Sequence, residues 1–103
     1  MVVEYIRYHI APEQAEEFEQ VYARAAESLA DSDHCQGWEL SRCVEHEEHY
    51  ILRIEWDSVD GHERGFRSSP QFATFFSAIK PFVNAIREMR NYNLTPVVGP
   101  RPR

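Results

Sequence analysis

The chain has 103 residues, with 17 acidic against 11 basic side chains and a formal net charge of −6 with histidine neutral. That length makes one domain, able to bury roughly two-thirds of its unfolded surface without disulfide or metal staples. The acidic balance and scattered basic residues exclude nucleic acid, whose phosphates need a clustered basic face, and no apolar run approaches the ~20 residues of a membrane span. The N-terminus VVEYIRYHI is too charged for a signal-peptide core, so a cytoplasmic location is expected.

Val2 to Ile10 reads as a first strand, with Val2, Glu4, Ile6, Tyr8 and Ile10 on one parity and Val3, Tyr5, Arg7 and His9 on the other. Ala11-Pro12 opens a helix, proline sitting where its missing N–H costs nothing, and Glu13, Glu16 and Glu17 suit the positive end of the helix dipole. Phe18, Val21, Tyr22, Ala25 and Leu29 form its apolar stripe, and the turn-forming Asp31-Ser32-Asp33 ends it. Gly37 releases the chain into a second strand, Trp38 to Val44, with Trp38, Leu40 and Val44 on one parity. Glu45 to His49 is a polar hairpin turn into a third strand, Tyr50 to Trp56, whose Tyr50, Leu52, Ile54 and Trp56 share one face.

Asp57 or Ser58 caps a short segment weakened by Gly61 and Gly65. Ser69-Pro70 is a second helix start, followed by a stripe of Phe72, Phe75, Phe76, Ile79 and Val83, and Pro81 stops the helix. Ile86 to Leu94 is a fourth strand. Residues 1–95 thus form the domain, and the proline-rich 96–103 a mobile tail. Cys35 and Cys43 lie eight strand steps of ~3.3 Å apart, beyond disulfide reach, and read as reduced thiols.

The order β-α-β-β-α-β is the ferredoxin-like α+β arrangement, an antiparallel four-stranded sheet with both helices on one face. Tyr50, Leu52, Ile54 and Trp56 should face the helices. The opposite parity, Ile51, Arg53 and Glu55, suits either a wet face or sheet-to-sheet packing in which Arg53 and Glu55 find partners across a two-fold.

The element order, the strand end Ile54-Glu55-Trp56-Asp57-Ser58 and the helix with Ser69-x-x-Phe72 resemble the antibiotic biosynthesis monooxygenase family over about Val2 to Leu94. The stretches EYIRY, GWELSRC and GHERGFRSSP also resemble a subgroup linked to truncated haemoglobins. The resemblance implies a homodimer forming a shared α/β barrel, a pocket in each subunit between sheet and helices, and one of several oxygen chemistries. One is cofactor-free oxidation of a small aromatic hydroxy compound, quinol or polyketide-like, by O2. Another is haem degradation. The family's haem-degrading branch carries Asn, Trp and His where this chain has Tyr5-Ile6-Arg7, Phe66 and Phe76, so haem is not favoured and no cofactor is expected. The family's crossover histidines are replaced by Phe66 and Gln71. The alternative function is a non-catalytic ligand-binding or interaction module acting with a truncated globin or haem.

Cofactor-free oxygenation asks for a desolvated cavity, a base that makes the substrate an electron-rich anion, and donors for developing negative charge. His62 is the candidate general base, since it sits in the glycine-broken segment and its intrinsic pKa is near neutrality. Trp56, Phe66, Arg67, Phe72, Phe76 and Tyr22 are the candidate pocket residues, the rings to stack a planar guest and Arg67 to meet an anion. His9 and His49 fall at strand ends as structural residues, and His34 and His46 in polar turns without a role. His46-x-x-His49 lacks a third ligand at fixed spacing and is not read as a metal site.

Overall fold

The computed structural model describes residues 1–100; Arg101 to Arg103, the end of the expected tail, lie outside them. The elements are β1 (Val2–His9), a 3-10 turn (Pro12–Gln14), α1 (Ala15–Ala30), β2 (Cys35–Arg42), β3 (His49–Trp56), a π-helical turn (Gly61–Phe66), α2 (Pro70–Ile79), a second 3-10 turn (Lys80–Ala85) and β4 (Ile86–Asn93). The strands form one antiparallel sheet in the order β2-β3-β1-β4. Both helices cover one face of it, the ferredoxin-like α+β fold.

Phe18 is the centre of the core. Its ring meets Tyr8 at 5.0 Å, Tyr22 at 5.1 Å, Tyr50 at 4.9 Å and Phe82 at 5.1 Å, all in the tilted or edge-on arrangements that aromatic quadrupoles favour. Each such ring contributes about 1.5–3 kcal/mol on leaving water. Tyr50, Leu52, Ile54 and Trp56 are all buried beneath the helices, as the alternation requires. The Tyr8 and Tyr22 hydroxyls, both buried, hydrogen-bond each other, and Tyr50 donates to Glu19 at 2.5 Å. Burial pushes the Tyr8 phenol up to about 12 and raises that of Tyr22 further.

The boundaries differ from the sequence expectation in three informative places. First, β2 begins at Cys35 rather than Trp38, because its pairing with Trp56 tolerates a register shift between Cys35 and Gly37 and the Asp57 amide donates to the His34 carbonyl at 2.9 Å. It stops at Arg42, where Arg42 Nε donates to the Glu47 carbonyl at 2.8 Å and closes the hairpin, leaving Val44 exposed. Second, α2 ends at Ile79, and the tighter 3-10 turn around Pro81 advances the phase by more per residue than an α-helix. Phe82 therefore enters the core, while Val83 is only part-buried and Phe76 stays 40% exposed. Third, Arg53 finds its partners within its own sheet: Glu55 at 2.5 Å, Glu39 at 3.4 Å and the Tyr5 hydroxyl at 3.4 Å. Partners across a two-fold, one of the two readings the sequence left open for this face, are not needed to satisfy it.

Candidate active site

The site is built where the end of β3 meets the crossover to α2. Ser58 Oγ accepts from the Gly61 amide at 2.8 Å and starts the turn. The Arg67 amide then donates to the His62 carbonyl at 3.2 Å, an i→i+5 bond that widens the helix into a π turn. His62 and Phe66, four residues apart, thereby face inward and are both buried. Ser69 ends the crossover, accepting from the Phe72 amide at 3.2 Å as the cap of α2.

The two glycines are required for close approach rather than for a left-handed backbone, since no glycine among the described residues has positive φ. His34, just before β2, sets its ring against Gly61 and Gly65 of this turn and pairs with Asp57 at 2.9 Å, and that hydrogen bond holds the Asp57 carboxyl below its usual range. A Cβ on Gly65 would come within 2.4 Å of the His34 ring, and one on Gly61 within 2.0 Å of Asp57 Oδ1. His34 thus latches the π turn to the sheet, a role its place in a polar turn did not suggest. Gly65→Val is expected to destabilise the fold by about 1–3 kcal/mol through overpacking, and His34→Ala to recover most of that loss. Urea unfolding of the two single variants and the double variant measures the coupling; additive losses would refute the latch.

Inside the turn lies a buried polar triad. Glu4, on the helix-facing parity of β1, is 2% exposed and His62 is 3% exposed. Trp56 Nε1 donates to Glu4 Oε1 at 3.1 Å, and His62 Nε2 lies 3.2 Å from the same oxygen. The His62 ring stacks on the Trp56 indole, centroids 4.5 Å apart and 11° from parallel. With Nε2–H donated to Glu4, the lone pair of the imidazole is on Nδ1, which is buried and has no hydrogen-bond partner among the described residues. Burial holds the His62 pKa down to about 4, helped by the nearby Arg67 charge and opposed by Glu63 and Asn91. Burial raises the Glu4 carboxyl, against the Trp56 hydrogen bond and the Arg67 charge.

This triad borders a cavity of about 180 Å³ whose walls include Ile54, Trp56, Phe66, Phe72, Phe75 and Ile79. His62, Glu4, Arg67, Phe76 and Met89 line it as well, the last two being exposed side chains at its rim. Arg67 reaches over the Phe72 ring, its guanidinium carbon 5.9 Å from the centroid. Of the residues singled out from sequence, Trp56, His62, Phe66, Arg67, Phe72 and Phe76 converge here. Tyr22 does not: its hydroxyl is tied to Tyr8, and it borders a separate groove between α1 and β2. Glu4 was missed. The available signal was a single carboxylate among Val2, Ile6, Tyr8 and Ile10, a burial that only specific donors can sustain.

His9 and His49 stand opposite each other at the far end of β1 and β3, well away from this cavity. Cys35 and Cys43 are free thiols.

The chain is similar to YczJ of Bacillus subtilis (strain 168), an uncharacterized protein: 29% identity over 82 residues, covering 80% of this chain and 86% of that one. Its fold superposes on that of a Bordetella bronchiseptica protein described as an antibiotic biosynthesis monooxygenase, with a TM-score of 0.74, 25% identity, and coverage of 91% and 96% of the two chains. A variant of SnoaB, a cofactor-independent oxygenase from Streptomyces nogalater, shares the fold at a TM-score of 0.76 and 21% identity, over 94% of this chain and 95% of that one. The sequence profile described as antibiotic biosynthesis monooxygenase matches residues 1–78, which carry β1 to β3, the π turn and nearly all of α2. The chain belongs to the antibiotic biosynthesis monooxygenase family.

Proposed function

We propose that the protein is a cofactor-independent monooxygenase that oxidises a one-ring quinol with O2 in the Trp56 cavity. The observation that carries this reading is His62 in the lining of an apolar cavity, its buried Nδ1 without a hydrogen bond among the described residues and Glu4 fixing the opposite ring nitrogen. A neutral imidazole so held takes the phenolic proton, and the anionic Glu4 stabilises the imidazolium that forms. The electron-rich quinolate passes an electron to O2, and the radical pair joins as a ring peroxide. Loss of water leaves a hydroxyquinone. In sum, hydroquinone and O2 give hydroxybenzoquinone and water, one oxygen atom entering the ring and the other leaving as water. Arg67 supplies positive charge for the quinolate and the reduced oxygen, and the dry walls keep water from competing.

Volume narrows the substrate. An apolar cavity of about 150 Å³ takes a benzene ring, whereas drug-sized guests need roughly 300 Å³ or more. At about 180 Å³ the cavity suits a substituted single ring, and a fused polyketide does not fit its present dimensions. Chelator-treated, flavin-free protein should therefore consume O2 with a one-ring hydroquinone, at a kcat/KM at least about tenfold above that for a tricyclic anthrone. Oxygen uptake no faster than the buffer blank with any quinol would remove the reading.

The open face of the sheet supports a homodimer as part of the same proposal. Tyr5 and Tyr92 stack edge-on there at 5.5 Å, and Ile51 and Tyr92 are exposed apolar side chains on a surface that a second sheet would cover.

A further inference from the structure

We propose that His9, Glu48 and His49 form a binding site for a divalent transition ion of the zinc class, separate from the quinol cavity. The antiparallel register places His9 directly opposite His49, a relation that brings Cβ atoms to about 4.5–5.5 Å on one face of a sheet. Their rings stand 5.3 Å apart, and Glu48 Oε1 is 3.8 Å from His49 Nε2. One ligand atom from each of the three residues lies within 4.8 Å of the others.

Two imidazole nitrogens and a carboxylate oxygen are a donor set that zinc takes at about 2.0–2.2 Å per bond, with a fourth position open to water or a guest. The donors must close by a modest rotation of side chains, and the backbone beneath them is already fixed. The Ile10 amide donates to the Glu48 carbonyl at 2.7 Å, and the His49 amide donates to the His46 carbonyl at 3.0 Å. The first bond ties the turn to the end of β1, and the second closes the turn on itself. Ordering cost therefore falls on three side chains rather than on a loop. The His46 ring stands 5.6 Å from that of His49, outside the three-residue donor group. Spacing along the sequence did not show the site, because His9 is supplied by a different strand from Glu48 and His49.

Zinc and cobalt titrations of the tag-free full chain test the site. The native protein should bind one equivalent of Zn2+ per chain with micromolar affinity by calorimetry, and Co2+ should develop the visible bands of a low-symmetry four-coordinate ion. His9→Ala and His49→Ala, both substitutions at the exposed end of the sheet, should each weaken binding at least about tenfold with the circular dichroism spectrum unchanged. No saturable binding below about 1 mM, or undiminished affinity in both variants, overturns the proposal. Unaltered quinol oxidation in His49→Ala would accompany the expected loss, because the two sites share no residue.

Discussion

His62→Ala should lower kcat for quinol oxidation by about 10²–10⁴-fold, the range associated with loss of a positioned general base. The argument rests on which nitrogen is free. Glu4 Oε1 lies against Nε2, so the basic lone pair is confined to Nδ1, a buried atom that makes no hydrogen bond among the described residues. A pKa held down to about 4 keeps the imidazole neutral across the neutral range, and thus ready to accept a proton. Its weakness as a base in the empty site is offset when the substrate leaves its own negative charge beside the imidazolium. Glu4 acts through His62 and is a positioning residue. Glu4→Gln still offers an oxygen to Nε2–H but withdraws the anion, so the acid limb of the kcat/KM profile should move to lower pH while kcat falls less than in His62→Ala. Because His62→Ala also opens space beneath Trp56, its melting curve must accompany the rate, and added imidazole should restore part of the activity. Turnover in folded His62→Ala equal to native would take this residue out of the mechanism.

Much of this arrangement was legible before any coordinates, and the reasons differ by element. The strand Tyr50–Trp56 announces its buried face because period-two alternation has no competing explanation there. The glycine-broken segment announces itself by Gly61 and Gly65, and its His62 and Phe66 do line the cavity. What the sequence withheld were relations between distant segments. Glu4 and His62 are far apart in the chain, and only the β1–β3 register, with Val2 opposite Trp56, carries the carboxylate under the indole and the imidazole. Tyr22 shares a helical stripe with residues that do face the core, yet Tyr8 claims its hydroxyl. The same limit hid His34, whose ring requires the two glycines that composition alone marks as helix breakers. Helix phase was a further loss: a proline-bounded 3-10 turn exchanged Phe82 for Val83, which a uniform α-helical period cannot anticipate.

The buried pair also predicts opposite pH dependences of stability in two single variants. His62 has a folded pKa near 4, below the ~6.5 of an exposed histidine, so between these values the unfolded chain binds more protons. Its contribution is complete above pH 6.5 and is lost as pH falls through about 4, a change of about 3 kcal/mol from the size of that shift. Glu4 has the reverse sign: its raised folded pKa gives stability that is complete below the unfolded value and is lost as pH rises through the folded one. In the native protein the two contributions oppose each other over the same window, since Glu4 takes up a proton where His62 refuses one. Arg67 acts on both groups, and Glu63 on the turn and Asn91 on β4 act on His62, without reversing either shift. Asp57 titrates below this window, its carboxyl being held down by His34. Glu4→Gln should therefore lose about 3 kcal/mol between pH 7 and pH 4 relative to the double variant Glu4→Gln/His62→Phe, in which neither group titrates. His62→Phe, which keeps a ring stacked on Trp56, should instead gain stability over the same descent relative to that double variant. Urea unfolding at pH 4, 5, 6 and 7 measures both slopes. Slopes of the same sign would mean that the carboxylate and the imidazole do not share one buried environment, and the pairing that positions Nδ1 for chemistry would fall with them.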